Sequence, residues 1–338
     1  MLARTVATVL LMACTLSAAP LSDRIAIGGG RHLYLECHGS GSPTVVLDGG
    51  HRERGDFWNV SDPASPKATP VLAGVQKFTR VCTYDRPGTV VGSAPKDFSR
   101  SDPVPMPRNA AAAVTDLHEL LSAAKVPGPY VLVGHSFGGL DILLYALNYP
   151  RSVAGIVFVD ALPPQLRNQM TPSLWKTYSE LNAQPLPGLD YKELETMDFS
   201  ASIDQVQRAL ARTTLPAIPI VVLTKDRPFD LAGREVPAGF GEKLDAAWRR
   251  AQRQLAASIA HVPLTVVETS HNISIERPDV VIDAIRRVVE AVRSGRKTVT
   301  QEQGAFADSL ARLRFAADGS RFSQARPPSR GLLGLDNP

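Results

Sequence analysis

Short apolar runs alternate with longer stretches of helical spacing through the middle of the chain. Residues 44–47, 80–84, 130–133, 155–159, 218–224 and 263–268 are rich in aliphatic and β-branched side chains. Their apolarity is nearly continuous rather than alternating, which predicts strands covered on both faces, as in a parallel sheet. Helical patterns lie between them. Residues 108–125 end before Pro127, and residues 139–148 follow one strand directly and stop before Pro150. Residues 237–260 are Ala-rich with alternating charge, and residues 279–293 open after Pro278. Val280, Ile282, Ile285, Val288 and Val289 of that last segment share about one helical face. Strand and helix in alternation predict an α/β fold, with a mostly parallel central sheet and helices on both faces.

Two stretches break the rhythm. Residues 162–214 carry weak helical signals and no strand pattern, which predicts a lid inserted between two strands. Trp175, Leu181 and Met197 supply apolar anchors for it. Residues 294–338 hold one short helical pattern and a Ser-, Arg-, Pro- and Gly-rich end, predicted to be a peripheral, mostly disordered tail. One domain over residues 24–293 remains between the termini. Residues 1–20 have Arg4, an apolar run too short to span a bilayer, and Ser17-Ala18-Ala19, the pattern of a signal peptide for export. Leu11-Met12-Ala13-Cys14 also resembles a bacterial lipobox, although Met12 is bulky for it. Lipidation of Cys14 would anchor the chain at the cell envelope, and membrane contact is expected only in that case.

Composition narrows the classes further. The 338 residues are 44% hydrophobic and 21% charged, an ordinary globular balance. The net charge of +4 comes from scattered Lys and Arg, so no nucleic-acid partner is expected. Of three cysteines, Cys14 lies in the leader, leaving Cys37 and Cys82. Each ends a strand-like run, 33–37 and 78–84. In an oxidising compartment they form either a disulfide or two buried thiols, depending on whether those strands are neighbours.

The chemistry centres on residues 131–140, VLVGHSFGGL. Gly134-x-Ser136-x-Gly138 joins a buried strand directly to a helix. A turn that sharp leaves no room for a Cβ at Gly134 or Gly138, and it lifts Ser136 to the strand end at a helix N-terminus. This segment resembles the nucleophile elbow of the α/β-hydrolase superfamily, in its secreted bacterial serine esterase or lipase form. Tyr84-Asp85-Arg86-Pro87-Gly88 and Ser270-His271-Asn272-Ile273 are similar to other turns of that superfamily. The resemblance implies the α/β-hydrolase fold over about residues 24–293. It also places strand 33–37 beside strand 80–84, and hence implies a Cys37–Cys82 disulfide.

The resemblance also implies a catalytic order of serine, acid and histidine. Only His261 and His271 follow Ser136. His261 precedes the last strand, at the wrong sheet edge; His271 follows it, at the carboxyl edge, and is the expected base. Asp226, after strand 218–224, is the first choice of acid, Asp160 after strand 155–159 the alternative, and Asp230 a weaker third. The oxyanion-hole donors are expected to be the backbone N–H groups of Phe137 and of Gly50, in the turn Asp48-Gly49-Gly50-His51, where many relatives carry His-Gly. His135 is placed to line the pocket. His32, His38 and His118 are expected to be surface or packing residues. The expected activity is cleavage of a carboxylic ester through an acyl-enzyme on Ser136, with a small-molecule ester and water as substrates and neither cofactor nor metal. An amidase, peptidase or acyltransferase using the same triad is an alternative, as is a non-catalytic binding protein.

Overall fold

The computed structural model describes residues 20–299 apart from residue 187. The expected signal peptide with Cys14, and the tail beyond residue 299, lie outside the described residues. Eight strands form one sheet: β1 (Leu21–Ala26), β2 (His32–His38), β3 (Val45–Asp48), β4 (Val81–Tyr84), β5 (Tyr130–His135), β6 (Val153–Val159), β7 (Ile220–Lys225) and β8 (Leu264–Val267). Their spatial order is β1-β2-β4-β3-β5-β6-β7-β8. The pairings β1–β2 and β2–β4 are antiparallel, and every later one is parallel.

Every residue of β3, β4, β5 and β7 is buried, as continuous apolarity requires. One set of side chains, including Val45, Leu47, Val131, Val133, Val157 and Val159, packs with α1 (Val71–Val75) and α8 (Pro278–Arg293). The alternate set, including Val46, Leu132, Ile156 and Phe158, packs with α2 (Ala110–Ala123) and α3 (Ser136–Asn148) on the other face. Two strands depart from expectation. β8 closes the sheet and leaves Val266 61% exposed, so its apolar run does not mean cover on both faces. β1, whose Ser22, Asp23 and Arg24 hide it from a hydrophobicity pattern, pairs as an edge hairpin with β2.

Between β6 and β7 the chain forms α4 (Pro172–Ala183) and α5 (Phe199–Leu210). Thr171 and Asp198 cap these helices by accepting the N–H of Leu174 and Ala201. Phe199, Ile203 and Val206 of α5 join the core beside α2 and α3. After β7, α6 (Phe240–Gln254) runs into a π-helical turn, Leu255–Ala260, and stops at His261, whose φ is 53°. The short α7 (Ile273–Glu276) leads into α8.

Two cross-links brace the sheet and the turns at its edge. Cys37 and Cys82 lie directly opposite on β2 and β4 and are joined as a disulfide. The second is Arg86, just beyond β4 and only 3% exposed. It donates to Asp48 Oδ1 at 2.5 Å, to Glu195 Oε1 and Oε2 at 2.7 and 3.1 Å, and to the carbonyls of Gly49 and Gly50. Burial alone would raise the Glu195 carboxyl, but the Arg86 charge and hydrogen bonds hold it below the usual range. Burial does prevail at Asp48, pushed up to about 6.

Both cross-links predict measurable losses. The disulfide closes a sequence separation of 45 residues, so Cys37→Ala/Cys82→Ala should lower unfolding stability by about 2–4 kcal/mol in a denaturant titration. Arg86→Leu strands two buried carboxylates and should cost about 3–5 kcal/mol in the same titration. A loss under about 1 kcal/mol in either case would show that the cross-link does not hold the fold.

Candidate active site

Ser136 sits where β5 turns into α3, with a φ of 48° in the left-handed region that non-glycine residues avoid. The glycines on either side make this turn possible. A Cβ on Gly134 would lie 2.5 Å from the Gly138 carbonyl oxygen, and one on Gly138 would lie 2.4 Å from the Gly49 carbonyl oxygen. No side chain caps α3, so its positive end is open at Ser136. Phe137, fully buried, follows Ser136 on the first turn of this helix.

The strand order sets the neighbours of Ser136. β3 and β6 flank β5, so the turn after β3 and the loop after β6 converge on the elbow. Asp160, the first residue past β6, is fully buried with a φ of 39°. Its Oδ2 accepts a 2.6 Å hydrogen bond from His271 Nδ1. Its Oδ1 accepts from Thr224 Oγ1 at 2.7 Å, Trp248 Nε1 at 3.0 Å, Lys225 N at 3.2 Å and Gln252 Nε2 at 3.3 Å. Burial opposes ionisation here, but the His271 hydrogen bond, His271, Lys225 and Trp248 together hold the carboxyl below its ordinary range.

This geometry does not bring the first choice of acid, Asp226, to His271. Asp226 is exposed at the end of β7, and its carboxylate accepts the Thr269 N–H in the turn beyond β8. The strand end at β7 is occupied instead by Lys225, paired at 2.7 Å with Asp245. Asp230 is also exposed and accepts the Ala232 N–H. Of the three carboxylates, Asp160 is the one brought to His271.

His271 is 3% exposed, walled by Phe229 and Trp248 at 5.1 and 5.5 Å between ring centroids. Burial is the main cause that pushes its imidazole below the ordinary value; His135 and Lys225 act in the same sense, and Asp160 opposes them. Its Nε2 is buried and makes no hydrogen bond among the described residues. His261 is exposed ahead of β8, as its sequence position implied. His32 pairs with Asp102, His38 with Glu36, and His118 stacks on Tyr149 at 3.8 Å, all away from this site.

At Gly50 the expected donor already has a partner. A Cβ on Gly50 would lie 3.0 Å from Ser136 Cβ, so the residue does border Ser136. Its N–H, however, is not free: it donates to Glu53 Oε2 at 2.5 Å. Glu53 was not singled out by the sequence, because a lone Glu in a polar turn carries no pattern. Neither was Glu195, whose link to Arg86 spans 109 positions. His51 Nε2 donates to the Glu195 carbonyl, 3.2 Å away, and burial lowers the His51 pKa to about 3, so the ring is neutral. Above the elbow, Phe199 lies 5.0 Å from Phe137 and 5.3 Å from His51, with Tyr178 behind it at 5.7 Å. An aromatic cluster thus packs on the residue that follows Ser136, and Ser136 itself is 9% exposed. Among the described residues, no group of three or more His, Cys, Asp or Glu is placed to hold a metal ion.

Known proteins are similar to this chain at two levels. Residues 37–284 match the sequence profile of the alpha/beta hydrolase family. An AB hydrolase superfamily protein of Gibberella zeae is 24% identical over 264 residues, covering 63% of this chain and 79% of that one. An uncharacterized protein of Schizosaccharomyces pombe is 32% identical over 154 residues, 38% of this chain but 26% of its own length. The chain thus spans a quarter of that relative. Among solved structures, a haloalkane dehalogenase of Agrobacterium tumefaciens superposes with a TM-score of 0.55 at 13% identity, covering 81% of this chain and 97% of that one. Est816, described as an N-acyl homoserine lactone degrading enzyme, gives 0.51 at 16% identity, covering 78% and 99%. At such identities the likeness speaks for the fold alone. With the profile match across most of the described residues and the strand–elbow–helix geometry at Ser136, the chain belongs to the alpha/beta hydrolase family.

Proposed function

We propose that the protein is an exported serine hydrolase that cleaves a carboxylic ester through an acyl-enzyme on Ser136. The observation that carries this reading is the buried Asp160–His271 hydrogen bond of 2.6 Å beside a left-handed serine at an uncapped helix N-terminus. Asp160 holds the Nδ1–H tautomer, which leaves Nε2 of His271 as the basic nitrogen, unpartnered and neutral. Nε2 takes the proton from Ser136 Oγ as the hydroxyl attacks the ester carbonyl, and returns it to the departing alcohol. Water then repeats the sequence and frees the acid and the serine. The Phe137 N–H stabilises the developing oxyanion. The acyl oxygen takes over the Gly50 N–H as second donor by displacing the Glu53 carboxylate from it.

Residues 162–214 act as the lid of this site. The aromatic wall of Phe199, Phe137 and Tyr178 favours an apolar acyl group over a charged one. The Cys37–Cys82 disulfide supports an oxidising compartment, and no described helix is long and apolar enough to cross a membrane.

Incubation with p-nitrophenyl esters of graded chain length and with a fluorophosphonate probe tests the reading. Turnover and labelling are expected in the wild type and lost in Ser136→Ala; a wild type that does neither refutes it. Asp160→Asn should lower kcat about 10⁴-fold, while Asp226→Asn stays within about threefold of wild type; the reverse order would restore Asp226 as the acid. Because the His271 imidazole lies below its ordinary 6.5, the acid limb of kcat/KM against pH should have its midpoint below 6.5. A midpoint above 7 contradicts that environment.

A further inference from the structure

His135 stands one residue before the nucleophile, is fully buried, and has no part in the Ser136–His271–Asp160 chemistry. Both of its ring nitrogens have partners. Nδ1 lies 2.9 Å from Glu53 Oε2, and Nε2 lies 3.0 Å from the main-chain carbonyl oxygen of His271. A carbonyl oxygen only accepts, and so does an ionised carboxylate. A neutral imidazole has one N–H and would present a lone pair to one of these two acceptors. Both contacts are satisfied together when His135 carries two N–H groups and a positive charge beside an ionised Glu53. The same Oε2 also accepts the Gly50 N–H, so one carboxylate joins the turn after β3 to the elbow. The His135 ring stacks on Phe57 at 5.4 Å, and its centroid lies 4.7 Å from that of His271.

We propose that Glu53 and His135 form a second buried acid–imidazole pair, a positioning pair that anchors the main chain of the base His271 and sets a fixed positive charge beside its ring. The kinetic consequence rests on the hydrolase reading above; the protonation state of the pair does not. Asp160 fixes the His271 ring from its Nδ1 side, and His135 fixes the same residue through its carbonyl. The charged groups facing His135 are Glu53, His271 and Asp160; those facing His271 are Asp160, His135 and Lys225. Burial opposes the charge on His135, but Glu53 and the His271 carbonyl outweigh it. A cation this close disfavours a second one on His271. The base therefore stays unprotonated at lower pH than Asp160 alone would allow. Removing the charge raises the His271 pKa, so activity fails earlier as pH falls.

Two measurements test the pair. Long-range ¹H–¹⁵N correlation of the imidazoles in the wild-type protein should show His135 doubly protonated at pH 7, assigned by its loss in His135→Gln. A single N–H on His135 at pH 7 overturns the proposal. In the variants, the acid limb of fluorophosphonate labelling should move upward by about one pH unit in His135→Gln. It should move less in Glu53→Gln, where a negative and a positive charge disappear together. An acid limb unmoved in a His135→Gln protein that melts within a few degrees of wild type also overturns it. Should the wild type take no label, the hydrolase reading fails, and the His271 titration followed in the same spectra decides the pair by itself. If the variants do not fold, the wild-type spectra decide it.

Discussion

The site depends on a single buried guanidinium. Arg86 gathers Asp48, the carbonyls of Gly49 and Gly50, and Glu195 around one planar fork, almost without contact with water. Three segments meet there: the turn after β3, the turn after β4, and the chain that leads into α5. The carbonyls and carboxylates would be costly to bury without donors, and the cation would be costly to bury without acceptors, so each holds the others in place. The turn that borders Ser136 and the segment that leads into α5 are thereby positioned by the same group.

Around that knot, the sheet order distributes the remaining roles. β5 lies between β3 and β6, so the parallel strand ends deliver the glycine turn to one side of Ser136 and Asp160 to the other. The carboxyl edge of such a sheet is where loops can converge without breaking the ladder. α6 completes the arrangement from above, where Trp248 and Gln252 donate to Asp160. An acid with four such donors on one oxygen keeps its charge and its orientation, which is what an orienting carboxylate needs. Glu53 and His135 extend the same logic behind the nucleophile, one carboxylate oxygen linking two loops.

Much of this was legible along the chain. The continuous apolar runs located β3 to β7, because a strand covered on both faces has no polar alternate. Gly134 and Gly138 marked the elbow, because a Cβ at either would collide with main chain. His271 was separable from His261 by its side of the last strand. The Cys37–Cys82 pairing followed from a resemblance and not from spacing, and the β2–β4 register places the two residues face to face. β1 was missed because its outward residues are polar on an edge, and the exposure of β8 because an apolar run does not reveal which strand ends the sheet.

Local pattern thus determined the layered fold and the glycine-flanked serine, since steric fit and burial are set by near neighbours, and the order implied by the resemblance singled out the histidine that follows the last strand. Which of Asp160 and Asp226 meets His271 was decided only in three dimensions. Both follow apolar strands, and what distinguishes them is Trp248, Gln252 and His271, 88 to 111 positions away from Asp160. The hold of Glu53 on Gly50 and His135 belongs to the same class, as does that of Arg86 on Glu195. A hydrogen bond between buried polar groups requires direction and distance between segments far apart in the chain, and no periodicity along a sequence encodes either.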